Sequence, residues 1–188
     1  PPPKRCTDNA SMIAAAGTLV LISGGIDLSV GATYSLAAVV AGQVTIAVGV
    51  VPGVLAAIAV GLLVGFLNGV VSTVLRINSL IATLAMSFIV AGVASLVTGG
   101  NLVVLFEHTD FAAIARTPLL GVRSSIWIAV VVVVVIGILL ARTTAGRYLY
   151  AAGGNAEAAR LSGIRVSGVR ILAFTLSGLT AAFAGIID

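Results

Sequence analysis

The chain has 188 residues, of which 60% are hydrophobic and only 9% charged. A water-soluble domain draws on about a quarter of its residues for charge to cover its surface, so most of this exterior is apolar and must face lipid. Disorder is excluded by the same figures, because it requires low hydrophobicity together with high net charge. Cys6 is the single cysteine and His108 the single histidine. That rules out an intramolecular disulfide and a cysteine-based metal cluster, and it removes most triad chemistry; no metal site and no catalytic set are expected. The net charge of +4 comes without a basic patch interleaved with aromatics, which are 5% of the chain, so nucleic acid is not an expected partner. In a membrane chain, basic residues report topology.

The charges divide the sequence into runs that can be measured against the roughly 20 residues a helix needs to cross a bilayer. Residues 9–26, 28–75, 77–106, 124–141 and 171–187 carry none. The second run is long enough for two crossings, and Gly49-Val50-Val51-Pro52-Gly53 supplies turn chemistry near its middle. The expected helices are 10–24, 28–48, 53–75, 78–98, 125–141 and 166–187. Val130 to Val135 would favour a strand in water, but an isolated strand in lipid leaves its backbone unpaired, so a helix is expected there too. Barrel strands would alternate polar and apolar residues, and no such period is present. The sequence therefore predicts an all-α, polytopic transmembrane bundle.

Orientation follows from Arg142, Arg147, Arg160, Arg165 and Arg170, half of the ten basic residues, in one stretch whose only acid is Glu157. The positive-inside rule makes that stretch cytoplasmic. Counting back, loop 99–124 is outside, Arg76 inside, the Val51-Pro52 turn outside and the Gly24–Ser29 segment near the inner side. The outer loop is charge-balanced, Glu107 and Asp110 against Arg116 and Arg123, and His108 reads as a solvated loop residue. A start at Pro1-Pro2-Pro3 and an end at Asp188 directly after an apolar run suggest a fragment. The polar Pro1–Asp8 stretch is too short for a signal peptide.

Three local patterns bear on function. In Ser23-Gly24-Gly25-Ile26-Asp27-Leu28-Ser29-Val30-Gly31 a carboxylate sits among glycines between two apolar runs. Asp27 or Ser29 either caps the second helix at the membrane surface or belongs to a gate, pathway or subunit contact. Gly61, Gly65 and Gly69 form a GxxxGxxxG row with Asn68 beside it, and Ser177, Ala181 and Gly185 repeat the four-residue spacing on the last helix. Such small ridges allow close helix packing, with direct substrate contact the lesser reading. Within 143–164, Asn155 suits an N-cap, Glu157 the first turn and Gly163 the position after the C-cap, which predicts a short helix over about 156–162. An Ala-rich helix this short is marginal alone, so it either lies in a partner's groove or is a solvated connector carrying topogenic arginines. Gly153-Gly154-Asn155 is no phosphate loop, for no GxxxxGK[ST] is present and no strand precedes it.

In order along the chain, Gly24-Gly25-Ile26-Asp27-Leu28-Ser29-Val30-Gly31, Gly65-Phe66-Leu67-Asn68-Gly69, Ile81-Ala82-Thr83-Leu84, Thr98-Gly99-Gly100, Gly146-Arg147 and Ala151-Ala152-Gly153-Gly154-Asn155 through Ala158-Ala159-Arg160-Leu161-Ser162-Gly163-Ile164 resemble a known family. It is that of the permease subunits of bacterial ABC importers for monosaccharides of the ribose, xylose, galactose and arabinose type. The resemblance covers about residues 10–188 and implies the bundle of the vitamin B12 importer kind. Six helices here would correspond to the second through seventh of about ten. It further implies inward translocation of a monosaccharide or related small polar solute by alternating access, in a bacterial inner membrane. The implied partners are ATP-binding cassette ATPase subunits, which would hold ATP and Mg, an extracytoplasmic sugar-binding protein and a second permease copy or homologue. This chain itself would bind no cofactor. Carried across, Gly146, Arg147, Gly153, Asn155, Ala158, Ala159, Arg160 and Gly163, with Gly154 and Glu157 in the same loop 142–165, form the element that docks the ATPase. Asp27, Ser29 and Asn68 are the pathway or gate candidates. Ile26-Asp27-Leu28-Ser29-Val30-Gly31 favours the sugar branch over branched-chain amino acid permeases. The competing readings are an ion- or proton-coupled secondary transporter or channel, which would need more intramembrane ionisable groups than are present, and a structural membrane subunit.

Overall fold

The computed structural model describes residues 5–101, 103, 111, 117–119 and 121–187. His108, Glu107, Asp110 and Arg116 lie outside the described residues. Among the described residues, eight helices are delimited in order: α1 Arg5–Ile22, α2 Val30–Ala47, α3 Val50–Thr73, α4 Ser79–Thr98, α5 Ser124–Arg142, α6 Thr144–Gly154, α7 Ala156–Leu161 and α8 Val166–Ile186. Before α5, Pro118–Leu119 (β1) and Val122–Arg123 (β2) pair antiparallel, Pro118 opposite Arg123, around a turn in which Gly121 takes φ 77°.

Five helices, α2, α3, α4, α5 and α8, are long and apolar enough to cross a membrane. The first helix, α1, is apolar over a shorter described stretch. It starts at Arg5 and takes in Asp8, and its apolar part is confined to Asn9–Ile22. The β-branched run of α5 is helical, as the absence of water to hydrate an unpaired strand requires. The α2–α3 turn is tighter than its composition suggests: only Val48 and Gly49, the latter at φ 126°, join the helices. Pro52, expected in the loop, stands in the first turn of α3, where the amide it lacks has no helical acceptor anyway.

The last helix organises the bundle. Within their apolar windows 56% of α8 is buried, against 17% of α4 and 11% of α5. It packs against α1, α2, α3, α6 and α7. On α1 the buried residues Met12, Ala16, Leu19 and Val20 recur at helical spacing, forming one stripe. Leu19 and Val20 meet Val169, Ala173 and Phe174 of α8, with Ile136, Leu149 and Ala152, in one apolar cluster. A second cluster joins Ala37 and Ala41 of α2, Ala57 of α3, and Ala182 and Ile186 of α8. A third joins Leu36, Val64 and Val90 of α2, α3 and α4.

The two small-residue ridges fall on different seams. Gly61, Gly65 and Gly69 of α3 lie against Gly178, Phe174 and Ile171 of α8, backbone to backbone. A Cβ at Gly65 would strike the Phe174 carbonyl oxygen and sit 2.9 Å from Thr175 Cα, and one at Gly69 would come 2.7 Å from Ile171 Cα. Ser177, Ala181 and Gly185, all buried, turn elsewhere. Gly185 abuts the Tyr34 and Ala38 backbone of α2, where a Cβ would approach Ala38 N to 3.1 Å. Close packing is thus achieved on two sides of α8 by one helix-period pattern, since small residues let backbones approach where a larger side chain would hold them apart.

Overpacking a dry seam typically costs about 1–3 kcal/mol. Gly65→Ala in the intact protein should therefore lower resistance to unfolding in a detergent titration by roughly that amount. Gly92→Ala, where a Cβ meets nothing within 4 Å, should be neutral or slightly stabilising; equal loss in both variants would refute the seam.

Candidate functional site

Between α1 and α2 the chain leaves helical structure. Gly24 at φ 82° ends α1, with Gly24 N donating to Leu21 O and Gly25 N to Val20 O, both at 3.0 Å. The glycine is required because an L side chain is disfavoured in that conformation. Residues 25–29 then run without regular structure between two apolar helices. Backbone polar groups in such a setting need partners, and side chains from α4 and α8 provide them for Ser23, Ile26 and Leu28.

From α4, Ser79 Oγ accepts from Ile26 N at 3.1 Å and Thr83 Oγ1 accepts from Leu28 N at 3.0 Å. From α8, Arg170 Nε donates to Ser23 O at 3.1 Å, and Ser177 Oγ donates to Asp27 Oδ2 at 2.9 Å. The other oxygen, Asp27 Oδ1, accepts from Ser29 N at 3.0 Å and Ser29 Oγ at 2.7 Å. From α3, Asn68 Nδ2 donates to Ser29 Oγ at 2.7 Å. Ser29, Asn68 and Ser177 are all buried, with at most 1% of their surface exposed.

All three gate candidates therefore meet in one chain of hydrogen bonds, Asn68 to Ser29 to Asp27, and Ser177 closes it from the far side. The capping expectation is corrected. Ser29 does occupy the N-cap position of α2, but its backbone is helical, at φ −82° and ψ −5°, and its side chain makes no capping bond. Its hydroxyl is committed to Asp27 and Asn68 instead. The carboxylate receives three hydrogen bonds, and charge-assisted bonds of this kind are the strong ones. No cluster of three metal-ligating side chains is formed among the described residues. What this arrangement can do is hold one unwound segment to three helices at once.

The second region is the stretch after α5. Thr143 caps α6, its Oγ1 accepting from Gly146 N at 3.1 Å. This eleven-residue helix was not foreseen in the sequence; the capping threonine was its available signal. Its inner face, Gly146, Leu149 and Ala152, is buried, while Arg147 is exposed. Gly146 packs on the Leu139 and Leu140 carbonyls, and Gly153 lies so close to the end of α1 that a Cβ would collide with the Ile22 carbonyl oxygen.

The short helix falls where the capping pattern puts it. Asn155 Oδ1 accepts from Glu157 N at 3.1 Å and Ala158 N at 3.0 Å. At the other end Gly163, at φ 84°, lets Ile164 N reach Ala159 O and Gly163 N reach Arg160 O, each at 3.0 Å. That closure satisfies the last carbonyls of the helix. Ala159 is buried; Gly154, Glu157, Ala158 and Arg160 are exposed, and Leu161 is 82% exposed. Glu157 and Arg160 form a surface ion pair at 2.7 Å, worth little in water. The helix is thus capped at both ends and shows an apolar tip at Leu161.

Sequence reasoning assigned no role to Ser79, took Arg170 only as a topology marker, and met Thr83 only as part of a motif. The signals were Ser79 and Thr83 one turn apart just inside an Asn-capped helix, and an arginine one turn into an apolar run.

The described residues thus form a polytopic helical bundle with an unwound polar joint and an exposed capped helix. The chain belongs to the family described as branched-chain amino acid transport system / permease component, whose model matches residues 10–187. Its relatives include the ribose import permease of Escherichia coli, 38% identical over 184 residues, covering 95% of this chain and 57% of that protein. The ribose import permease of Bacillus subtilis is 40% identical over 178 residues, 94% of this chain and 55% of that protein. The L-arabinose transport system permease of Escherichia coli is 44% identical over 113 residues, 60% of this chain and 34% of that protein. The chain thus spans a little over half the length of the ribose permeases it matches. No solved structure matches it.

Hydrogen bonds to a charged group contribute about 1.5–3 kcal/mol. A double-mutant cycle of Asp27→Asn and Ser177→Ala in the intact protein should return a coupling energy on that order, about 1.5 kcal/mol or more; a value near zero would remove the node. Asn155→Ala, losing a cap of about 1 kcal/mol, should speed hydrogen exchange at Glu157 and Ala158 about fivefold, read by mass spectrometry.

Proposed function

We propose that the chain is the membrane-spanning part of an ABC importer permease that carries a monosaccharide or related small polar solute inward by alternating access. The observation that carries this reading is the exposed, doubly capped α7 projecting from a bundle whose relatives are ribose and arabinose permeases. A helix of six residues does not persist in water on its own propensity. Holding it by caps and leaving Ala158 and Leu161 uncovered suits docking in a groove of an ATPase subunit.

In this reading ATP and Mg sit on the partner ATPase, an extracytoplasmic sugar-binding protein delivers the solute, and a second permease copy or homologue completes the pathway. The stretch 142–165, rich in arginine, faces the cytoplasm of a bacterial inner membrane. Gly146, Arg147, Gly153, Gly154, Asn155, Glu157, Ala158, Ala159, Arg160 and Gly163 compose the coupling element. Asp27, Ser29 and Asn68 are the moving joint. Displacement of α7 reaches α6, whose Gly153 abuts the end of α1, and so the unwound segment held by Asp27. An equilibrium between two arrangements of that segment is what both ATPase and binding protein would bias.

The test is uptake of labelled monosaccharides, starting with ribose and arabinose, into proteoliposomes holding the intact protein with its ATPase and binding protein. Gly154→Trp or Ala158→Trp should cut ATP-driven uptake at least tenfold while the binding protein still docks. Uptake driven by an ion gradient without the ATPase would favour the secondary-transporter reading instead. Unchanged uptake in both tryptophan variants would leave α7 a connector.

A further inference from the structure

A cleft of about 1230 Å³ opens between the α1–α2 segment, the α3–α4 turn, α7 and the start of α8. Its charged lining is Arg76, Arg160, Arg165 and Arg170 with Glu157. The glutamate is already paired with Arg160, so Arg76, Arg165 and Arg170 line the cleft with no carboxylate partner among the described residues. Arg170 spends its Nε on Ser23 O, with Nη2 lying beside Gly24, which also lines the cleft. Like charges gathered in a concavity raise its potential, and a recessed wall focuses the field toward a small anion.

Two further observations sharpen the ligand. Arg76 is the one non-glycine with positive φ among the described residues, at 56°. Glycine or asparagine would hold that turn with less strain, and a charge needed only for topology could stand on Leu75 or Ile77 instead. That left-handed position is instead held by a charged residue that lines the cleft. The first turn of α8, where Val166 and Ser167 line the cleft, has no acidic residue and no side-chain cap, which leaves the positive end of that helix facing the arginines.

We propose that this cleft binds a phosphate group. Guanidinium forks supplied to one cleft by different elements match the multiple oxygens of a phosphate better than a single carboxylate. The group comes either from an anionic phospholipid headgroup of the adjacent leaflet or from a soluble phosphoester, and both present the same chemistry. Binding here would clamp the α3–α4 turn, α7 and α8 to the unwound segment. It is independent of which solute is carried.

The experiment uses the intact protein in zwitterionic phosphatidylcholine nanodiscs at low ionic strength, where such contacts are least screened. Inorganic phosphate is titrated by calorimetry, and short-chain phosphatidylglycerol by native mass spectrometry. Saturable binding of either probe is expected, weakened about tenfold or more by Arg76→Asn and by Arg165→Gln. Arg142→Gln, at the end of α5 and outside the cleft, should bind as the wild type does. Asparagine tolerates the left-handed backbone, so loss in Arg76→Asn cannot be assigned to a broken turn. Phosphate saturation identifies a soluble phosphoester, and phosphatidylglycerol alone a headgroup; either supports the site. Binding of neither probe, or binding that the two cleft variants leave unchanged, overturns it. So does protection of Arg76 from phenylglyoxal only when the ATPase is added, which would assign the cleft to an acidic protein surface.

Discussion

Five residues without regular structure sit between α1 and α2, in a chain whose other described long segments satisfy their backbone within helices. Everything else in the bundle accommodates that fact. Unpaired amides and carbonyls among apolar helices are costly, so Ser79 and Thr83 on α4, Asn68 on α3, and Arg170 and Ser177 on α8 are all committed to one short stretch or the residues flanking it. These residues are far apart in sequence and converge only when three helices are in register. The joint therefore reports the arrangement of the helices around it, and a shift of any of them disturbs its bonds.

The register is set by the seams of α8. Glycine on α3 and glycine on α8 bring two backbones together with no side chain between them, and that close approach carries Asn68 to Ser29 and Ser177 to Asp27. Packing and polar chemistry are the same arrangement seen from two faces of one helix: Gly178 turns to α3, and Ser177, its neighbour in sequence, turns to the carboxylate. Dense small-residue contacts deform little, so such a bundle moves by sliding or rotation of whole elements rather than by local yielding.

Much of this could be read in advance because lipid restricts the choices. Charge scarcity located most of the long helices, and local chemistry located α7, since Asn155 and Gly163 act within a turn of themselves. Asp27, Ser29 and Asn68 were singled out by type and setting, an ionisable or amide group beside glycine in an apolar run. What stayed hidden was nonlocal. Nothing in the sequence says that Ser177 leaves its ridge to meet Asp27, or that Arg170 reaches back to Ser23, because those bonds depend on helix rotation. The tight α2–α3 turn was hidden for a different reason: proline reads as a breaker, yet the first helical turn accepts it. The length of α1 was likewise misjudged, its charged start being helical too.

The approach of Gly153 to the Ile22 carbonyl gives the second region its mechanical character. Most contacts between helices are cushioned by side chains that can change rotamer, so a small push at one end dissipates before it reaches the other. Here main chain bears directly on main chain, at the residue where α1 ends and just ahead of the unwound stretch. A contact without rotamers has almost no slack. In the proposed coupling, motion of α6 would pass to the end of α1 with little loss, toward the segment that holds the part-buried Asp27 carboxylate.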